Sequence, residues 1–469
     1  MMLFKNKTAT GECRGWIILL LFLLAVQPAF GQPAELLVRL EEEGASSLRL
    51  SLQTGTISKT GEDSLFVDVQ SISRVTPRLV APRKENQQGG QPVEAYRLVT
   101  QDSSSLRRLR SRWQSHPNVR YAHPNYRFQA HGRVPSHRFS KRDPVLGGNN
   151  ALADSLDHLN VVRAQQAWTT TAGTSSVQIG VIDTGFYLDH PDLAGQLGVN
   201  AAEDLNGNGQ LDEADLNGKD DDGNGYVDDV IGYDFVDRPA PIDAGEFVDR
   251  DPDPSADPEQ FYSWHGTAVA GVATAAPGTP AEGIAGVAPG TRLVPLRALG
   301  GDGFGRTDDI AAAIVYAATQ GIDVLNLSFG RDRAVPLIEE AIEYANARGT
   351  IVVASAGNNL TDDPHYPSDY PEVLSVVWLG EDGRLPQFNR SQFGIGVDLG
   401  APGSNVYTAD FPAEKIQSGA PLSQSDFYRS PNGSSFSAPQ VAGAAALLRS
   451  VDSTLSPSSV RSILTASAD

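Results

Sequence analysis

The sequence predicts an α/β fold: a doubly wound, mainly parallel sheet with helices on both faces, preceded by a small α+β unit. Two observations carry this. From Leu156 onward, apolar runs bounded by turn residues alternate with helical patterns, and the runs are continuous, as in strands buried on both faces. The charge also changes sign along the chain. Residues 1–143 hold 21 Lys+Arg against 12 Asp+Glu; the whole chain has 37 and 57, which leaves 16 and 45 for residues 144–469. A basic first third and an acidic remainder attract one another as partners within one chain. The acidic part argues against nucleic-acid binding, which needs a cationic face.

The elements follow in order. Residues 1–31 read as a signal peptide: Lys5, Lys7 and Arg14 precede the apolar run Trp16–Val26, and Ala29-Phe30-Gly31 gives a small-residue exit. That run is too short for a permanent membrane anchor, which needs about 20 residues. The only cysteine, Cys13, leaves with it, so the exported chain has no disulfide and bound metal is expected to hold its loops. Residues 32–130 form the α+β unit. Its expected strands are Leu36–Val38, Leu65–Val69 and Ala95–Val99, with a helix over Ser104–Ser115 and an edge strand over Asn118–Tyr126. Residues 131–155 read as an exposed linker and maturation region.

The remainder, 156–469, is expected to place strands at Val177–Ile182, Leu293–Leu296, Val324–Ser328, Ile351–Ser355 and Val373–Val377. Helices are expected at Gly266–Ala276, Thr307–Thr319, Ala334–Ala347, Ser435–Ser450 and Ser456–Ala466. Ser456 and Pro457 supply an N-cap and a first helical residue. The chain ends soon after that helix, and further structure is expected beyond it.

Four segments carry chemistry. Val181-Ile182-Asp183-Thr184-Gly185 places a carboxylate at the carboxyl end of a buried strand, where α/β sheets gather functional groups. Trp264-His265-Gly266-Thr267 places an imidazole at the start of a small-residue helix. Gly433-Ser434-Ser435-Phe436-Ser437-Ala438-Pro439 places a hydroxyl at the amino end of another, where the helix dipole favours negative charge. Ser355-Ala356-Gly357-Asn358-Asn359 offers a side-chain amide. Singly, each reads as a cap or a turn. Together they supply a nucleophile, a base, its orienter and an oxyanion donor.

In that combination and order the chain resembles the subtilisin-like serine peptidases over Leu156–Asp469. The resemblance implies a seven-stranded parallel sheet and a triad of Asp183, His265 and Ser435, with Asn358 as oxyanion donor. It implies polypeptide substrates bound as an added strand along Ser328-Phe329-Gly330 and a segment containing Gly303, with His365 on the floor of the pocket for the residue before the cut. Ala268, Ser434, Phe436 and Ser437 depart from the family's commoner residues by size-compatible changes. Ala34–Gln129 resembles the inhibitory propeptides of the same family, so the chain's own N-terminal unit is expected to be its inhibitor. The expected product is a secreted monomer.

An acidic insertion separates Asp183 from His265. Residues 203–259 hold 19 acidic residues against Lys219, Arg238 and Arg250. Asp204, Asn206, Asn208, Asp212 and Asp215 share a spacing with Asp220, Asp222, Asn224, Tyr226 and Asp228. Alternate oxygens followed by a glycine at the sixth place let a short loop wrap one hard cation, so structural Ca2+ is expected. Neither loop ends in the bidentate Glu of an EF-hand. Asp192 matches a ligand of another family calcium site, but the loop near 278–282 lacks the expected Asn. Other readings are an inert extracellular calcium-binding module, a stack of calcium loops and an esterase. An intact set of four catalytic groups, only two loops, and the absence of a Gly-x-Ser-x-Gly elbow count against them in turn.

Overall fold

The computed structural model describes residues 34–41, 48, 65–75, 93–131, 157–236, 238–239, 247–248, 250–277, 283–380, 383–384, 391–394 and 396–468. The expected signal peptide and the linker beyond His131 lie outside them.

The N-terminal unit packs a helix on a four-stranded antiparallel sheet. Its strands are β1 (Ala34–Leu40), β2 (Val69–Arg74), β3 (Ala95–Thr100) and β4 (Val119–Pro124), in the order β2-β3-β1-β4. Helix α1 (Ser103–Gln114) starts where the Asp102 side chain accepts from the Ser104 and Ser105 amides, an N-cap the sequence reading did not single out. Its Leu109 and Trp113 pack on Leu36, Val38, Tyr96 and Leu98. The expected strand at Leu65–Val69 is instead a turn leading into β2, with Asp68 at φ 79°. Leu65 and Phe66 are apolar for a different reason: Phe66 meets Trp113 edge to face at 5.5 Å, and the Leu65 carbonyl accepts from Trp113 Nε1 at 2.8 Å.

The larger body is built on seven strands: β6 (Gln178–Asp183), β7 (Tyr233–Asp234), β8 (Arg292–Arg297), β10 (Val324–Leu327), β12 (Ile351–Ser355), β13 (Val373–Leu379) and β14 (Leu399–Pro402). Their order is β14-β13-β12-β10-β6-β8-β7, and every pairing is parallel. Alternate side chains of β6 enter opposite layers. Ile179 and Val181 join the cluster of α2 (His265–Thr274) and α5 (Ala438–Val451), whereas Ile182 joins that of α3 (Thr307–Gln320) and α4 (Pro336–Ala347). A last helix, α6 (Pro457–Ser467), is capped by Ser456. The sheet is therefore doubly wound, as expected.

Three short strands form a separate sheet beside the carboxyl ends. β5 (Arg127–Ala130) lies antiparallel between β9 (Phe304–Arg306) and β11 (Phe329–Gly330). It continues directly from the N-terminal unit, and sequence reasoning missed it.

Polar contacts join the N-terminal unit to the amino end of α3 and to α4. Asp308 pairs with Arg97 at 3.1 Å and accepts from Asn125 Nδ2 at 2.6 Å, and Arg306 pairs with Glu35. On α4, Glu340 pairs with Arg39 at 3.3 Å and Arg120 at 2.9 Å, and accepts from the Tyr121 hydroxyl.

Candidate active site and acidic insertion

Asp183 is the last residue of β6 and is fully buried. Its Oδ1 accepts from Thr184 N at 2.7 Å and meets His265 Nδ1 at 2.7 Å. His265 opens α2, where a side chain on Gly266 would collide with the Gly185 backbone. This glycine lets the helix start press against the strand end. Trp264 and Phe436 flank the imidazole at 5.5 and 5.7 Å. Its Nε2 is buried and without a hydrogen-bond partner among the described residues. An imidazole held by a carboxylate on one nitrogen and unengaged on the other is suited to take a proton.

Ser435 lies in the 3-10 turn Ser434–Phe436 that leads into α5. Its Oγ donates to the Ser328 carbonyl at 3.2 Å, and its own carbonyl accepts from Ser328 Oγ at 3.0 Å. The hydroxyl is thus parked on the substrate-side strand, not on His265. Asn358 follows β12. Its Oδ1 accepts from both the amide and the hydroxyl of Ser434, each at 3.0 Å. These two bonds aim Nδ2 outward, where it donates to the carbonyl oxygen of His131. Ser434 is therefore a positioning residue that sequence reasoning treated only as a substitution.

The chain itself fills the cleft. Ala130 N donates to the Gly303 carbonyl at 2.9 Å and His131 N to the Ser328 carbonyl at 3.1 Å. Gly303 takes φ +83° against the Tyr262 ring, a conformation that favours glycine. Phe329 stands edge to face with Phe128 at 6.0 Å. A side chain on Gly330 would overlap His365, which is buried at the end of the cleft. The expected site residues Asp183, His265, Ser435, Asn358, Gly303, Ser328, Phe329, Gly330 and His365 thus line one groove.

The insertion follows the sequence pattern in part. Its two loops repeat the same local bonds: Asp204 accepts from Asn208 N and Gly209 N, as Asp220 does from Asn224 N and Gly225 N. In the first loop, Asp212 accepts from the amides of Asn206 and Asn208, and Asp215 from Leu205 N and Asp212 N. In the second, the structure gathers Asp222 with Glu203 and Asp229, oxygen atoms of all three lying within 4.8 Å of one another. Asp228 turns away to accept from Asn217 N and Gly218 N, and the Tyr226 ring is buried among Tyr233, Phe235 and Tyr316. Asn224 donates to Asp222 and Asp229. Asp229 also accepts from the Tyr316 hydroxyl at 2.7 Å, which ties the loop to α3.

The cluster fits a hard cation. Burial pushes the Asp229 carboxyl up to about 7, and Glu203 Oε2 is buried without a partner among the described residues. Three converging carboxylates repel one another unless a cation neutralises them, and an all-oxygen set suits Ca2+. By contrast, Asp192 accepts from Ile284 N and the Tyr428 hydroxyl, each at 2.9 Å. Residues 278–282, which would complete that site, lie outside the described ones.

A family model described as the subtilase family matches residues 174–469. The thermophilic serine proteinase of Bacillus sp. (strain AK1) is 34% identical over 336 residues, covering 72% of this chain and 64% of that protein. Thermitase of Thermoactinomyces vulgaris is 30% identical, covering 62% of this chain and 80% of its own. Fervidolysin from Fervidobacterium pennivorans, a solved structure, shares the fold with a TM-score of 0.58 at 22% identity, covering 94% of this chain and 58% of that one. The chain thus spans less than two thirds of the length of the Bacillus proteinase.

Proposed function

The chain belongs to the subtilase family, and from that premise we propose that it is a secreted serine endopeptidase made as a self-processed zymogen. One observation carries the reading: the His131 carbonyl, held in an added strand, accepts from Asn358 Nδ2 in a groove that also contains Ser435 and the Asp183–His265 pair.

In the reaction, Ser435 Oγ leaves the Ser328 carbonyl and attacks the peptide carbonyl. His265 Nε2 takes its proton and returns it to the leaving amine. Asp183 fixes the tautomer with the proton on Nδ1 and stabilises the imidazolium. Asn358 Nδ2 and the Ser435 backbone N–H hold the oxyanion. Water then hydrolyses the acyl-enzyme. Polypeptide substrates take the place of β5, hydrogen-bonded between Gly303 and Ser328–Gly330. The N-terminal unit inhibits by keeping β5 there, with Asp308 and Glu340 anchoring its arginines.

Calcium is structural in this reading. Glu203, Asp222 and Asp229 hold one ion, and it supplies counter-charge to the insertion without entering the reaction. No helix among the described residues is long and apolar enough to cross a membrane. The product is read as a monomer released after its leader is removed.

The test is Ser435→Ala in a protease-free host. It is expected to abolish casein hydrolysis and to leave the precursor uncleaved, because the same nucleophile serves both. Casein hydrolysis by the variant would exclude Ser435 as nucleophile, and a cleaved precursor would exclude self-processing.

A further inference from the structure

We propose that the first maturation cut breaks the His131–Gly132 bond, and that the pocket formed by Ser355, His365 and Ser368 selects a neutral histidine before the cut. This inference rests on the proposed peptidase reading.

The His131 side chain is not merely accommodated; both ring nitrogens are bonded. Nδ1 lies 2.7 Å from Ser355 Oγ and Nε2 lies 3.0 Å from His365 Nε2. The rings meet tilted, with centroids 4.6 Å apart. Two imidazole nitrogens at 3.0 Å need one N–H and one lone pair, so the pair cannot be doubly protonated. Burial lowers the pKa of both rings, His365 to about 4, which keeps them neutral.

The network assigns every proton. Ser368 Oγ donates to the His365 carbonyl at 2.9 Å, so it must accept from His365 Nδ1–H, also at 2.9 Å. His365 Nε2 is then the lone-pair acceptor, and His131 Nε2–H is the donor. His131 Nδ1 is left to accept from the Ser355 hydroxyl. The pocket therefore presents a donor near its mouth and an acceptor at its floor. Neutral imidazole, protonated on Nε2, matches both. A phenyl ring leaves both pocket groups buried and unpaired, and an ammonium group has to shed its water to bring a charge into a buried pocket built for a neutral ring.

Glycines make the room. A side chain on Gly330 would overlap the His365 ring, one on Gly357 would overlap Gln392, and one on Gly433 would come within 2.9 Å of the His131 carbonyl oxygen. His131 thus has its carbonyl on the oxyanion amide and its side chain in the pocket at once. In the cut, Ser435 Oγ bonds to the His131 carbonyl carbon and the bond to the Gly132 nitrogen breaks. The serine proton passes through His265 to that nitrogen, and water releases His131 as a carboxylate.

Two measurements test this. Intact mass of the first N-terminal fragment from the full-length precursor is expected to place its end at His131. Peptides of sequence Arg-Phe-Gln-Ala-X-Gly-Arg-Val, with X as His, Phe, Gln or Lys, are then compared with the mature enzyme. The His peptide is expected to lead the others in kcat/KM by about tenfold or more, the effect of one or two lost hydrogen bonds. His365→Phe is expected to reverse the His-to-Phe ratio, whereas a merely structural loss would lower all peptides alike. A first fragment ending elsewhere, or a Phe peptide cut as fast as the His peptide, overturns the proposal. If casein is cut in either event, the peptidase reading stands; if neither casein nor any peptide is cut, both fall.

Discussion

The catalytic groove and the acidic insertion are both polar and partly buried, yet their charges are handled in opposite ways. In the groove nearly every polar atom is matched by another from the chain: Asp183 by His265 and Thr184, Asn358 by Ser434 and His131, His131 by Ser355 and His365. Two triad atoms are buried without a partner among the described residues, Asp183 Oδ2 and His265 Nε2, and the second is the atom that has to accept a proton. In the insertion, three carboxylates converge on neutral donors, such as Asn200, Asn224 and Tyr316, and burial raises the pKa of Asp229. The groove is preorganised by hydrogen bonds within the chain, while the insertion lacks a counter-charge. Damage to one region should therefore appear in kcat and damage to the other in stability.

The largest selective effect is expected at Asn358. Replacing it by Ala removes a donor realised fully only as the oxyanion forms, so kcat should fall about 10²–10³-fold with little change in KM. Melting in calcium is expected to drop only modestly, because the Ser434 amide and hydroxyl lose the Asn358 Oδ1 they donate to. A loss confined to KM would mean that Asn358 binds substrate and another group holds the oxyanion. A large drop in melting temperature would break the contrast between the regions.

The insertion should show the converse. Binding of calcium to the folded state alone adds about 2.7 kcal/mol at a hundredfold excess over Kd. That corresponds to roughly 4 °C in melting temperature for the body spanning residues 156–469, at about 2.1 cal/mol/K of unfolding entropy per residue. A chelator is expected to remove it and to speed autolysis within residues 203–259. Asp222→Asn should remove most of the difference between calcium and chelator while leaving the initial kcat of freshly prepared enzyme near that of the parent. Identical melting with calcium and with chelator would mean that the insertion is a solvated acidic surface and that no ion stabilises it.

The two regions also differ in how far their residues could be read from the sequence. Asp183, His265, Ser435 and Asn358 sit at the ends of strands or the starts of helices, each inside a short motif whose glycines and small residues mark a close approach. Local order was enough to single them out. Glu203 and Asp229 were not singled out, because what distinguishes them is proximity across the fold. Spacing favoured Asp228, but its backbone adopts φ 56° and sends the carboxylate to Asn217 and Gly218, while Asp229 turns inward to Tyr316. β5 was missed for a related reason. Its four residues alternate in burial, but the strands it joins lie more than 170 positions later in the chain. Among the elements, continuous apolar runs located five of the seven parallel strands closely, but not the short edge strands β7 and β14, which have no such run. The run at Leu65–Val69 misled because its apolar residues serve α1 from a turn.

The smallest effect is expected in the first loop of the insertion, where the sequence spacing alone would give an effect equal to that of the second. Asp204 and Asp220 make the same pair of backbone bonds, so local geometry does not separate them. Their surroundings do. Asn206, Asn208 and Asp212 are exposed, and the Asp212 carboxylate is already served by two side-chain amides and Ala214 N. Little desolvation is at stake there, and water can screen what repulsion remains. Asp212→Asn should therefore shift melting by no more than the roughly 0.5 kcal/mol typical of surface substitutions, with the calcium response retained. If this variant loses as much of the calcium response as Asp222→Asn does, the loops bind as equals and burial is not what separates them. If the responses differ as expected, the shared spacing marks a shared loop geometry, and the buried partners Glu203 and Asp229 decide which loop calcium stabilises.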